Sequence, residues 1–553
     1  MILLVAGVLF ISCVPILQDW WYGDVGTVVS AHPIATKIGM EILRNGGNAV
    51  DAAVAVGFAM GVVDQFHSGI GGGGFIVMRL ADGTIHTLDG RETAPAAAAR
   101  DMYLREGQFD PSLSQEGVLA VAVPGIVAAY TEALELAGTK TLTEVIALSI
   151  PLARNGFVLD EPYARALQRN VDKLRNDTAS AAIYLHKDGS PLAAGEILRQ
   201  PDLAVTYEKI ASGGADYFYR GEFTEQLTAY METNGGLITE ADMAGYTVRH
   251  REPIVGNYRN YEIIGMAPPS SGGVHVLQIL NMLEASGVLE GKSGWDSESV
   301  YLTARFMSRA FEDRATYLGD SDFYKIPTTR LASQEYADSL VMAITEETSP
   351  KVPTSGANKF EWSSRSTTNF CVVDRWGNAV AVNQTVNLQF GAKLTLPGTG
   401  VILNDEMDDF AAQPGVPNAF GLVGGEANSI APGKRPLSSM SPTIIVQDSK
   451  PVLILGGAGG SRIITAVLQM IVNVIDFGMT VREAQEQPRF HHQYQPNILF
   501  MEPGFATVLM NQQKNRGFEV VESGNLGRVQ LIAWNEKAQR YEARPDPRFR
   551  LGG

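Results

Sequence analysis

The chain has 553 residues, 45% of them apolar, with 44 basic against 60 acidic side chains and a formal net charge of -16. Such a length can bury a large core and by itself suggests about three or four domains. The negative balance opposes non-specific attraction to nucleic acid or to anionic lipid, so a small molecule or a peptide is the expected partner.

The chain opens on an apolar run without charge, Met1 to Leu17. It is shorter than the ~20 apolar residues that span a bilayer and fits the core of an export signal better, although no Lys or Arg precedes it. Residues 1–22 are read as an export signal or a membrane anchor, with an ordinary buried segment as the plainer alternative. On that reading the protein is exported, to the periplasm or outside the cell, and any membrane contact is through this segment. The two cysteines, Cys13 and Cys371, are too few for a disulfide framework or a thiolate zinc site.

The stretch HPIATKIGMEILRNGGNAVDAAVAVGFAMGVV predicts two helices. Ile38, Ile42 and Leu43 recur at helical spacing, Gly46-Gly47 end the first helix, and Asp51 is the expected cap of the Ala/Val-rich second. Strand-like FIVMRL and TIHTLDG then flank the turn Asp82-Gly83, with Arg91 just beyond. From about 115 to 250 the pattern is mostly helical. A loop from Pro268 to Gly273 leads into an apolar helix, and another helix is expected from Ser297 to about Gly319. A loop-rich polar stretch is expected from there to Arg365. Within it Ala343 to Ser366, with Pro350, Pro353 and Gly356, reads as an exposed connection.

That connection ends in SRSTTNFCVVDRWGNAVAVNQTVN, Ser364 to Asn387, where two threonines stand at the mouth of a strand. If Arg375 to Gly377 form a three-residue hairpin loop, Asp374 pairs with Asn378 and opposed positions sum to 752. Thr385 then faces Thr367, and alternation puts Asn387 on the same face. Opposed threonines are common in sheets for purely structural reasons, so the pair alone leaves both a structural and a chemical reading open.

Several long motifs in order decide between them: GGNAVDAAVA, SGIGGGG, LDGRETAPA, PPSSGG, TGVILNDEMDDF, KRPLSSMSPT, GGAGGSRIIT and PRFHHQ. With them the chain closely resembles the γ-glutamyltransferase family of N-terminal nucleophile hydrolases, from about Ser30 to Arg548. The resemblance implies an α+β fold, a four-layer αββα sandwich. It also implies a precursor that cuts its own backbone between Ser366 and Thr367 into a large subunit, 23–366, and a small one, 367–553, intertwined as one domain. Cleavage would leave Thr367 as nucleophile with its freed α-amine, of pKa ~7.7–8.0, as the base. Thr385 would orient it. Arg91, Ser438 and Ser439 would hold the donor's α-carboxylate, while Asn387, Glu406 and Asp409 would hold its ammonium. Gly459 and Gly460 would form the oxyanion hole, and no Lys-Ser or Lys-Thr follows them to support a phosphate loop.

The implied reaction is ping-pong transfer of a γ-glutamyl group, from glutathione for example, to water, an amino acid or a dipeptide. It needs no cofactor, and none of the eight histidines has the spacing of a metal site. Two positions depart from the family pattern. Asn369 stands where a His is usual, which puts the efficiency of self-processing in question. In the lid-like segment AAQPGVPNAFGLVGGEANSIAPGKRP the gating aromatic, often Tyr, is Phe420. A phenyl ring can cover the pocket without donating a hydrogen bond, so a looser lid and more hydrolysis relative to transfer are expected. Two alternatives are a related acylase that releases a glutaryl-type side chain from a β-lactam, and an unprocessed, non-catalytic γ-glutamyl-binding protein.

Overall fold

The computed structural model describes residues 22–346 and 366–549. Two antiparallel sheets form its centre. The seven-stranded sheet runs Tyr22–Gly23, Gly26–Ser30, Thr368–Asp374, Ala379–Thr385, Gly73–Arg79, Ile85–Gly90 and Arg249–His250 in spatial order. The six-stranded sheet runs Ile254–Tyr258, Tyr261–Gly265, Thr443–Gln447, Lys450–Ala458, Arg528–Asn535 and Arg540–Arg544. Both therefore draw strands from either side of the Ser366–Thr367 bond.

Alternation along the strands creates the layers. Val28, Ile76, Phe370, Val372, Val380 and Val382 pack into one apolar cluster with the helices Pro33–Arg44, Ala49–Val63 and Ile126–Ala137. Their neighbours Val29, Phe75, Val77, Cys371, Val373 and Ala381 enter a second cluster with the other sheet and the helices Gly272–Ser286, Ser297–Tyr317 and Arg462–Ile475. The result is helices, sheet, sheet, helices, the expected αββα sandwich. Strands buried on both faces explain why FCVV and AVAV read as continuous apolar runs rather than as alternating ones.

The hairpin has the expected register. Thr368 pairs with Gln384 and Val373 with Ala379, and the Asp374 N–H donates to the Asn378 carbonyl at 3.0 Å. Asp374 organises the turn: its carboxylate accepts from the backbone N–H of Trp376 and Asn378, and also from Ala49 N at 2.9 Å, the first residue of the buried helix. The cap of that helix differs from the sequence expectation. Asn48 is the N-cap, and Asp51 is the third helical residue of a capping box, returning a bond to Asn48 N at 2.8 Å. The side chain that caps lies three residues before the acid it pairs with, and the sequence reading placed the cap at the acid.

A second difference lies in the stretch read as loop after Gly319, where helices span Thr328–Leu331 and Gln334–Glu346. Tyr336, Ala337, Leu340 and Ile344 bury one face of the latter at helical spacing, which its polar neighbours mask in the sequence. Most of the expected exposed connection, 347–365, and the apolar segment 1–21 lie outside the described residues. Among the described residues no helix is long and apolar enough to cross a membrane.

Candidate active site

Thr367 and Thr385 share the side-chain parity of Cys371 and Ala381, so both stand at the mouth of the gap between the sheets. Their hydroxyl oxygens are 3.1 Å apart. Asn387 N donates to Thr385 Oγ1 at 2.9 Å, which leaves the Thr385 proton available to Thr367 Oγ1 and orients the latter. Thr367 is held at φ +78°, a left-handed conformation that β-branched residues rarely adopt and that stores roughly 1–3 kcal/mol of strain. A φ angle exists only while the Ser366–Thr367 peptide bond does, so cutting that bond releases the strain.

Asn387 does not continue the strand. At φ +72° it turns the chain, and its side chain donates to the Asp405 carbonyl at 3.0 Å, joining the hairpin to the acidic loop. It still reaches the pocket. Thr367, Thr385, Asn387, Arg91, Glu406, Asp409, Ser438, Ser439, Gly460 and Phe420 together line one narrow pocket. Gly459, the neighbour of Gly460, adopts φ +130°, and this glycine pair leads directly into the helix Arg462–Ile475. A helix start beside two glycines presents N–H groups and a partial positive charge to an oxyanion.

Arg91 is buried and fully engaged. Its Nη1 donates to Glu406, Nη2 to Asp409 at 2.5 Å and Nε to the Pro436 carbonyl at 3.0 Å. Glu92, which the sequence reading did not single out, also faces Arg91 Nη1 at 3.7 Å, and neither of its oxygens has a hydrogen-bond partner among the described residues. Burial pushes the Glu92 carboxyl up to about 7 against the pull of Arg91, and burial likewise holds Glu406 well above the ordinary range. Three carboxyl groups thus face one guanidinium.

Another part of the pocket wall carries Ser438 and Ser439. The PPSSGG loop pins them: Ser438 N donates to the Pro269 carbonyl, and Ser271 N to the Ser438 carbonyl, each at 2.8 Å. Arg314, also missed in the sequence, lies in this wall. It follows Val300, Ala304, Met307 and Ala310 on the buried stripe of its helix, so the available signal was a charge placed on an apolar face. Burial lowers its pKa to about 10, which leaves it charged at neutral pH.

Phe420 roofs the pocket and is 6% exposed. The lid backbone is fastened from below: Gln493 Nε2 donates to the carbonyls of Phe420 and Gly421 at 3.2 and 3.1 Å. Gln493 Oε1 in turn accepts from Ser461 Oγ at 2.6 Å and lies 2.9 Å from His491 Nε2. Asn369 does not touch the pocket. It lies between the sheets, opposite Asn383, with its Oδ1 accepting from Gln530 N at 3.4 Å. The unusual residue thus bears on how the sheets meet behind the nucleophile.

A family model described as Gamma-glutamyltranspeptidase matches residues 35–552. The chain is 44% identical over 526 residues to the Glutathione hydrolase proenzyme of Escherichia coli (strain K12), covering 95% of this chain and 90% of that protein. It is 40% identical over 522 residues to the Acylase ACY 1 proenzyme of Pseudomonas sp. (strain SE83), covering 93% and 90%. Its fold is similar to that of the cephalosporin acylase from Bacillus halodurans, with a TM-score of 0.82 at 25% identity over 95% of this chain and 94% of that one. The αββα sandwich is that of the N-terminal nucleophile hydrolases. Within that class, the chain belongs to the γ-glutamyltranspeptidase family.

Proposed function

We propose that the chain is an exported, self-processing γ-glutamyltransferase with glutathione hydrolase activity, cut between Ser366 and Thr367. The observation that carries this is the Thr367–Thr385 hydroxyl pair opening onto a pocket lined by carboxyl groups, two serines and two buried arginines. An α-amino acid head group has the matching charges, and its γ-amide extends toward the hydroxyls.

In the reaction Thr367 Oγ1 attacks the γ-carbonyl carbon while the freed α-amine of Thr367 takes the hydroxyl proton. The carbonyl oxygen becomes an oxyanion beside Gly459 and Gly460. Collapse breaks the C–N bond, the amine leaves with the proton, and a γ-glutamyl ester remains on Thr367. Water or the amine of an amino acid or peptide then attacks the ester and regenerates the hydroxyl.

The acylase reading has the cephalosporin acylase fold and the acylase relative in its favour. A glutaryl side chain, however, has no amine, so it would leave the three carboxylates around Arg91 without a second cation. Intact-mass measurement tests the proposal: two fragments are expected, the smaller beginning at Thr367, with Thr367→Ala remaining a single chain. The mature protein is expected to cleave γ-glutamyl-p-nitroanilide in preference to glutaryl-p-nitroanilide. A folded, uncut and inactive wild-type chain would support the binding-protein reading instead.

A further inference from the structure

The motif PRFHHQ supplies no group to the reaction, yet its last residue, Gln493, is only 2% exposed and uses both ends of its amide. Nε2 donates to the carbonyls of Phe420, Gly421 and Gln495 at 3.2, 3.1 and 3.2 Å. Oε1 accepts from Ser461 Oγ at 2.6 Å and from His491 Nε2 at 2.9 Å. Burial pulls the His491 pKa down to about 3, so the ring carries one N–H at neutral pH, and Oε1, which can only accept, places it on Nε2. Three carbonyls at one end and two donors at the other leave the amide a single orientation. Ser461 follows Gly459 and Gly460 and lines the pocket, and the Phe420 ring lies against Gly460. The lid is also tied to the acidic loop, with Ala419 N donating to Asp408 at 3.1 Å and Asn418 Nδ2 to Asp409 at 3.3 Å. Gln493 adds a polar tie from the lid to the segment that carries the oxyanion glycines.

We propose that Gln493 is a positioning residue that latches the lid to residues 459–461 and, by keeping water from the acyl-enzyme, sets how much of the γ-glutamyl group goes to an amine rather than to water. This rests on the γ-glutamyl reading of the site. Gln493 acts through the lid backbone, so the latch needs no hydroxyl on the residue at 420. Without the amide, the carbonyls of Phe420 and Gly421 lose this donor, and Ser461 and His491 lose their acceptor. A buried polar group left unpaired costs more than its hydrogen bond contributed, so the lid opens to pair with water.

The test uses Gln493→Met, which keeps the length of the side chain and removes its amide. Hydrogen exchange of the lid peptide around Phe420 is expected to quicken about tenfold, the scale for one to two net hydrogen bonds, while the helix Arg462–Ile475 exchanges as in the wild type. With γ-glutamyl-p-nitroanilide as donor and glycylglycine as acceptor, the share of turnover ending as free glutamate should rise about threefold. In a Phe420→Ala background, where the lid no longer covers Gly460, the same substitution should change that share by less than about 1.5-fold, because both changes act through the lid. Each variant is first checked by mass for cleavage at Thr367, and if the Met variant does not mature, Gln493→Asn, whose amide falls short of the lid, carries the same measurements. Unchanged lid exchange, an unchanged share, or an equal change with and without the Phe420 ring would overturn the inference, as would a wild type that already sends every acyl group to water. A mature wild-type protein that does not turn over γ-glutamyl-p-nitroanilide would instead overturn the functional reading beneath it, and the exchange comparison would still decide whether Gln493 holds the lid.

Discussion

Gly460 holds φ at +62° beneath the ring of Phe420, where an added Cβ would stand 2.3 Å from Cδ1. An alanine there would both strain the backbone and push the lid aromatic off the N–H groups it covers. Gly460→Ala is expected to lower kcat for γ-glutamyl-p-nitroanilide by about 10²-fold or more, the scale for damaging one oxyanion donor, with a much smaller effect on KM. An unchanged kcat would remove Gly460 from that role. Other single residues differ in how far the sequence revealed them. Counting from the turn was enough to oppose Thr367 and Thr385, because β pairing is periodic. The engagement of Arg91 by Glu406 and Asp409 was not readable, since they lie more than 300 positions away along the chain. Glu92 and Arg314 went unnoticed for the same reason: a charge beside Arg91 within a motif, or on a helical stripe, shows its surroundings only when its neighbours are in place.

At the scale of elements, the hairpin and the two helices near the start of the chain follow from local patterns, while the helix Gln334–Glu346 needed its buried face to be seen. The lid joins the two kinds of information. Its sequence suggested loosening because Phe420 lacks a hydroxyl, whereas the structure fastens it by backbone carbonyls to Gln493, a contact independent of the ring. The helix Gly272–Ser286, which follows the PPSSGG loop, carries a pH-sensitive residue in its first turn. Burial pulls the His275 pKa down to about 3; the Gln278 hydrogen bond opposes this and Arg314 adds to it. The unfolded chain takes up that proton below about pH 6.5 and the folded chain does not. The stability contributed by neutral His275 is therefore complete above 6.5 and is lost as the pH falls toward 3. Relative to His275→Gln, the wild type should lose about 1.4 kcal/mol per pH unit in that window, read from urea unfolding at pH 7.5, 5.5 and 4.5. Parallel losses in the two proteins would contradict the assignment.

For the whole molecule, the decisive feature is that strands following the proposed cut lie inside the sheet built by residues before it. Thr368–Asp374 and Ala379–Thr385 pair outward with Gly26–Ser30 and Gly73–Arg79, so separating the fragments would strip both edges of the hairpin at once. Mature fragments are expected to co-elute in gel filtration and to part only in denaturant. Fragments that separate under native conditions would show that the hairpin leaves the sheet after cleavage. Length alone pointed to several domains, and interleaved strands are why that count misleads: the two sheets form one continuous double layer.

The sequence by itself determined the local periodicities, the hairpin register and, through its motifs, the family and the αββα layering. These depend on neighbours along the chain or on long stretches of matching residues. Only the tertiary structure decided which charges meet. It set three carboxyl groups on Arg91 and held Arg314 by the hydroxyls of Ser271 and Ser439, because burial and contact between distant segments, rather than residue type, determine how a buried charge is paired.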